Sequence, residues 1–485
     1  MIDITDRRRF ADLLATTTVA AYVLVALGTA VSTTDSAPTC STFLGCSSDP
    51  AHLTLSGEVL LFWGHRLAAL VTGVLVAASG LAVRKAAVGR RAARLVGCVV
   101  VLFPVQIALG AAIVVGSPAI ARTVHLALAM LIFACLLLAL VRTLDDHPRE
   151  ETAPSVNGPA SSSGEQSERV SAASDDDIGE TATSSERATG SVSRLRRTAG
   201  AYLTLTKPRL MWLLCLVALA GMGLATLTGA PLEPTTAIAT LAGGVLAIGA
   251  SGTFNHVYER DRDRRMNRTN DRPLVHDLVP ARNALVFGLA LAATSTIVLV
   301  TWVNALAAAL TFAAIVYYAV LYTVLLKPNT AWNTVLGGGA GALPAVIGWA
   351  AVTGTVGAPA LALAAVIFLW TPAHFYSLAI AFREDYARGG FPMYPVVEGV
   401  PAARRHVAFY LGATLLAASV LGWIAGLGWV YAVTSIALGS VFLRSVIRQY
   451  RTPTDEVALR SFYVSNYYLG AILLAIVLET LLVAA

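Results

Sequence analysis

The chain has 485 residues, of which 56% are hydrophobic and only 13% charged, with a formal net charge of +6 and a mean hydropathy of +0.68. Soluble domains carry about 25% charged residues, so a soluble globular fold is excluded. The apolar runs are continuous rather than alternating, which excludes a β-barrel. The surplus positive charge lies largely in short loops between apolar runs, the pattern of membrane orientation rather than of nucleic-acid binding.

In chain order, four apolar runs come first, at roughly 10–31, 59–83, 95–115 and 120–141, each long enough to span a bilayer as a helix. The first follows Arg7, Arg8 and Arg9 without a small-residue cleavage site, so a spanning helix is expected rather than a cleaved signal. The stretch from about 145 to 198 is rich in Ser, Asp, Glu and Thr and nearly free of large apolar residues. Such a composition cannot offset chain entropy by burial and predicts a disordered acidic linker. Nine further runs follow, near 209–229, 234–254, 281–301, 303–326, 331–352, 356–380, 404–424, 428–449 and 463–484. The expected architecture is all-α and polytopic: a four-helix membrane module over 1–144, the linker over 145–198, and a nine-helix bundle over 199–485.

Loop charge sets the expected topology. The segments at 7–9, 84–94, 255–282, around 327, at 383–405 and at 444–460 are basic, while the loops near 230, 302, 355 and 426 carry no Lys or Arg. By the positive-inside rule the amino terminus, the linker and the basic loops face the cytoplasm of a multi-pass protein of the cell membrane. Cys40 and Cys46 then share the first external loop, where an oxidising compartment allows either a disulfide or two free thiols. Cys98, Cys135 and Cys215 fall in apolar runs and read as core residues.

The most charged stretch is NHVYERDRDRRMNRTNDRP at 255–273. Asn255, Glu259 and Asp263 are spaced i, i+4, i+8 and share one helix face. An amide and two carboxylates present hard oxygens suited to Mg²⁺, which keeps waters and bridges to substrate phosphates. Arg264, Arg268 and Arg272 follow directly, and the planar guanidinium binds phosphate oxygens. A second cluster, Arg383, Glu384 and Asp385, ends another run on the same face, and Lys207 in TKPR adds a cation there. Two acid-bearing mouths over an apolar bundle suggest Mg²⁺ around a diphosphate whose long apolar tail lies below.

These residues carry a resemblance. TKPR at 206–209, NHVYERDRDRRMNRTNDRPLV at 255–275, NTVLGGGAGALPAVIGWAAVTG at 333–354 and WTPAHFYSLAIAFREDYARGGFPMYPV at 370–396 resemble the UbiA superfamily of intramembrane prenyltransferases, and within it the heme O synthase branch. The resemblance implies a nine-helix fold. It also implies transfer of a farnesyl group from a prenyl diphosphate to a vinyl of heme B, with addition of water and release of diphosphate. It places metal ligation and catalysis on Asn255, Glu259, Asp263 and Asp385 with Glu384, and diphosphate binding on Lys207, Arg264, Arg268, Arg272 and Arg383. Glu259 stands where the family usually has Asp. His374 reads either as a heme contact or as a packing histidine. Two rival functions stay open: prenylation of a quinone precursor or lipid, and heme transport without catalysis.

In the amino-terminal block, His65 in FWGHR and His125 in RTVHLALAM lie in separate apolar runs, where ionisable residues are functional candidates. The block resembles one half of heme A synthase, which implies a heme between His65 and His125, a paired Cys40 and Cys46, and a working relation to heme A synthase or terminal-oxidase assembly factors. Phe62 stands where that family has its catalytic Glu, so heme binding is expected here without the oxidation.

Overall fold

The computed structural model describes residues 4–33, 57–86, 88–114, 119–145 and 196–484. Cys40, Cys46 and most of the acidic linker lie outside the described residues, which form helices and turns with no strand among them. Thirteen of the described helices are long and apolar enough to cross a membrane.

Four come before the linker: α1 (Ile4–Thr33), α2 (Gly57–Ala82), α3 (Arg90–Val114) and α4 (Ala119–Asp145). Each touches its chain neighbour, and α4 returns to α1, closing a four-helix bundle. After it come α5 (Pro208–Thr226), α6 (Pro234–Asp263), α7 (Ala281–Trp302), α8 (Ala305–Leu326), α9 (Asn333–Thr353) and α10 (Ala358–Ala381). Two short helices, α11 (Arg383–Arg388) and α12 (Tyr394–Val397), lead to α13 (Val400–Ala425), α14 (Trp429–Arg451) and α15 (Asp455–Ala484). Consecutive long helices touch and α15 packs back on α5, so this second set closes into a ring, with α9 against α5 and α10 against α15 across it.

Local sequence explains the joints. Asn304 caps α8 by accepting from the Ala307 N–H at 2.8 Å, and its amide donates to Ala350 O on α9 at 2.8 Å. Small residues let α5 and α9 meet backbone to backbone: a Cβ on Gly348 would lie 2.1 Å from Ala218 O, and one on Gly221 2.2 Å from Ala345 O. The last ten residues of α8, Tyr317–Leu326, are π-helical, a wider winding frequent at functional sites.

The two bundles share one continuous core. Buried Leu14, Tyr22, Val25, Phe133 and Leu136 of α1 and α4 join Leu411, Phe442 and Leu443 of α13 and α14. Tyr22 Oη donates to Ser435 O at 2.7 Å, filling the notch left by Gly439. Ion pairs Arg451–Asp12 and Arg405–Asp145 (3.9 Å) bring the start of α1, the ends of α4 and α14 and the start of α13 to one end of the molecule. The loop-charge pattern had assigned all four to the same side.

Candidate diphosphate-binding active site

The helix α6 runs nine residues past the apolar stretch expected from sequence, about two and a half turns, and carries the first part of the charged motif there. Asn255, Glu259 and Asp263 lie on one face, and their residues are 1%, 2% and 2% exposed. Charged groups at that depth need partners, and each finds a different cation. Lys207 Nζ donates to Asn255 Oδ1, Lys327 Nζ to Glu259 Oε1 at 2.5 Å, and Arg272 Nη1 to Asp263 Oδ2 at 2.6 Å, with Glu259 Oε2 3.8 Å away. Three cations thus face two carboxylates, leaving a positive excess at the mouth of the ring.

The backbone sets these cations deliberately. Lys207 is the N-cap of α5 with φ 55° and ψ 56°, a left-handed conformation costing a non-glycine residue about 1–2 kcal/mol. Gly252 makes the room: a Cβ there would lie 3.0 Å from Leu205 O and 3.3 Å from Lys207 Cγ. Burial first, then the nearby Arg272 and Lys327, pull the Lys207 ammonium down to about 7, against the opposing pull of Glu259 and Asp263. Lys327 follows the π-helical segment, donating its N–H to Tyr322 O at 2.8 Å. The same segment presents Thr323, which accepts from Asn255 Nδ2 at 3.2 Å, and Tyr318, whose Oη is 3.4 Å from Lys207 Nζ.

Asp385 performs a different task from its sequence neighbour. Its oxygens accept from the Asn267 and Arg268 backbone N–H groups at 2.8 and 3.2 Å and from Arg388 Nη2 at 2.6 Å. It thereby ties the second acidic loop to the loop after α6. Burial pushes its carboxyl up, but Arg388 and the two N–H groups outweigh that and hold it below the usual carboxylate range. Arg268 is positioned beside it, donating to Tyr386 Oη at 2.9 Å and lying over the Phe382 and Tyr386 rings.

Several sequence-predicted residues are not brought to this cluster. The Glu384 side chain is 77% exposed beside Arg383, and Arg383 turns to Asp455 on α15. Arg264 faces Asp277 and Asp261 on the surface. His374 is sandwiched between Trp370 and Phe462 at ring distances of 4.2 Å, with Nδ1 2.6 Å from Ser465 Oγ. Both faces of its ring are covered, which favours the packing alternative. Lys327 was absent from the sequence-predicted set, although it is one of only three lysines among 35 basic residues.

Below the cluster an apolar cavity opens between α5, α6, α8 and α9, lined by Leu214, Leu241, Ile248 and Ile315 with Lys207 and Tyr318 at its head. Its empty space, mouth included, is about 800 Å³. A charged head and an apolar tail fit the two halves of this site.

In the first bundle, the His65 and His125 rings lie within electrostatic reach of each other. Each sits against a glycine: a Cβ on Gly28 would be 3.1 Å from His65 Cε1, and one on Gly110 3.1 Å from His125 Cε1. Both Nδ1 atoms are buried without a hydrogen-bond partner among the described residues, while His125 Nε2 lies 3.1 Å from Gln106 Nε2.

Residues 214–470 match the UbiA prenyltransferase family, and residues 2–137 match a cytochrome oxidase assembly protein family. A protoheme IX farnesyltransferase of Haloarcula marismortui is 49% identical over 98% of this chain and 99% of its own. Protoheme IX farnesyltransferase 2 of Natronomonas pharaonis is 49% identical over 98% of this chain and its full length. Among solved structures, a digeranylgeranylglyceryl phosphate synthase shares the fold, with a TM-score of 0.50 at 13% identity over 58% of this chain and 98% of its own. The chain therefore belongs to the UbiA prenyltransferase family, in the branch of the protoheme IX farnesyltransferases, with an oxidase-assembly-type module joined ahead of the transferase.

Proposed function

We propose that this multi-pass membrane protein transfers the farnesyl group of farnesyl diphosphate to a vinyl of heme B, with addition of water, giving heme O and diphosphate. The observation that carries the reading is the buried row Asn255, Glu259 and Asp263, each bonded to its own cation, over an apolar cavity. The relatives' shared name at near full-length coverage supports the same acceptor over a quinone precursor.

No three His, Cys, Asp or Glu side chains converge among the described residues. Two carboxylates and an amide nevertheless fit Mg²⁺, which takes one or two carboxylates and completes its shell with water and substrate phosphate. Glu259 and Asp263, with Asn255 beside them, would hold it, and bound there it would neutralise charge on the departing diphosphate. Lys207, Lys327, Arg272 and Arg268 bind the diphosphate oxygens and stabilise the negative charge that builds as the allylic C–O bond breaks. The cavity walls exclude water from the farnesyl cation until the terminal vinyl carbon attacks. Water then captures the cation beside the porphyrin and loses a proton. Asp385 acts as the tie that sets Arg268 rather than as a ligand.

The site opens on the cytoplasmic side by its loop charges. In the first bundle we assign a heme between His65 and His125, supported by their two orphaned ring nitrogens, and take terminal-oxidase assembly as the destination of the product. The test is incubation of the purified chain with heme B and farnesyl diphosphate, followed by mass analysis of extracted hemes. Heme O should form with Mg²⁺ and cease on chelation; an active preparation indifferent to chelator refutes the metal assignment, and no prenylated heme refutes the function. A histidine-ligated absorption spectrum, lost in His65→Ala, checks the bound heme.

A further inference from the structure

The cavity below the diphosphate cluster carries information about which chains it admits. From α6 it is lined by Thr240, Gly244, Ile248 and Ser251 among others, whose spacings of four, four and three keep them on one helix face. Gly244 lies eleven residues below Asn255, about 16 Å along the axis. On the opposite wall, Ala218 of α5 also lines the cavity; it lies eleven residues below Lys207, which packs beside Gly252 of α6, so it stands within about one turn of Gly244 on the deeper side. The neighbours Gly243 and Gly244 differ in outlook. A Cβ on Gly243 would strike Leu299 of α7 at 2.7 Å, whereas one on Gly244 meets no atom within 4 Å. The first glycine is needed for helix packing; the second is not, and its missing side chain leaves open space in the cavity. One turn deeper the cavity continues to Thr240.

Resting on the prenyltransferase reading, we propose that Gly244 is a chain-length determinant: with Ala218 it forms a waist that stays open only because both residues are small, so the distal isoprene units of a farnesyl or longer chain pass into the lower cavity. A bulky side chain there leaves room for the proximal units and closes off the distal ones. Shorter allylic diphosphates end above the waist and do not meet it.

The experiment compares farnesyl and geranyl diphosphate as donors to heme B, using the full chain in lipid nanodiscs with product identified by mass. In Gly244→Leu the ratio of kcat/KM for farnesyl over geranyl diphosphate should fall about tenfold or more relative to the parent. Residual geranyl transfer also shows that the variant is folded. An unchanged ratio overturns the proposal. Should Gly244→Leu be inactive with both donors, Ala218→Leu from the facing wall decides by the same ratio. A parent that prenylates heme with neither donor fails at the level of function, whereas an active parent whose waist variants keep the farnesyl preference fails only at Gly244.

Discussion

Replacing Lys327 by Met tests whether the lysine belongs to the reaction or only to the fold. Its Nζ is 2.5 Å from Glu259 Oε1, with 14% and 2% of the two side chains exposed. Removing one member of a buried pair costs about 3–5 kcal/mol. Arg272 stands 3.8 Å from the other Glu259 oxygen and takes up part of the freed charge, so a loss near the lower end, about 3 kcal/mol, is expected in stability. The catalytic loss is separate. One charge-assisted hydrogen bond to the leaving diphosphate contributes about 1.5–3 kcal/mol, which is roughly 10–100-fold in kcat/KM. Combining Lys327→Met with Glu259→Gln removes both charges and should return most of the stability without returning turnover. Heme O formation and thermal unfolding in detergent read the two quantities. Turnover of the single variant within about twofold of the parent, alongside lowered stability, would refute a role in leaving-group binding.

Asp385→Asn keeps the shape but replaces one acceptor oxygen by an amide facing a donor, so the tie to Asn267 and Arg268 loosens; KM for the prenyl diphosphate should rise about tenfold with a smaller change in kcat. Because the Asp385 carboxyl is held below its ordinary range, its contribution to stability is present at neutral pH and is lost as pH falls below about 4, which acid-unfolding curves of parent and Asn variant should show as converging there. Lys207, drawn down to about 7, is charged below that pH and neutral above it. Affinity for farnesyl diphosphate should therefore weaken as pH rises through about 7 and flatten in Lys207→Gln; parallel pH profiles would dismiss the lysine. Glu479 of α15 accepts the Gly428 and Tyr431 N–H groups at 2.8 and 3.0 Å, capping α14 from a neighbouring helix. Glu479→Ala leaves both donors unmet in an apolar setting and should lower the melting temperature by an amount worth about 2–4 kcal/mol, with no change in KM.

Much of the architecture was legible because membrane spans announce themselves by length and loop charge, and the expected and observed helix bounds differ mainly at their polar ends. The row Asn255, Glu259 and Asp263 was legible for a similar reason: helical period alone puts the three on one face. Which of two adjacent acids turns inward was not. Glu384 and Asp385 differ by one position on the six-residue α11, and only the docking of that helix on the 266–268 loop separates the exposed acid from the tied one. Arginines near the motif divide likewise, by the fold of a turn without periodicity: Arg272 turns in to Asp263, Arg268 lies exposed along the Phe382 and Tyr386 rings, and Arg264 faces the surface acids. Lys327 escaped because its partner lies 68 residues away; its rarity as a lysine was the available hint. His374 had the look of a ligand; Trp370 covers one face of its ring from one turn back on α10, but Phe462 and Ser465, which close the other side, come from α15, far along the chain.

The π-wound end of α8 has a consequence for how this site tolerates change. Thr323, whose hydroxyl bonds the carbonyl five residues back at Tyr318, and Lys327 reach Asn255 and Glu259 only in that loose winding. Tightened to the ordinary pitch over the same ten residues, the helix would turn everything beyond it onto another face. The lysine would then look toward lipid, every other catalytic side chain still in place. Substitutions that favour the ordinary winding in this otherwise bland apolar segment should thus be as damaging as substitutions in the charged motif itself.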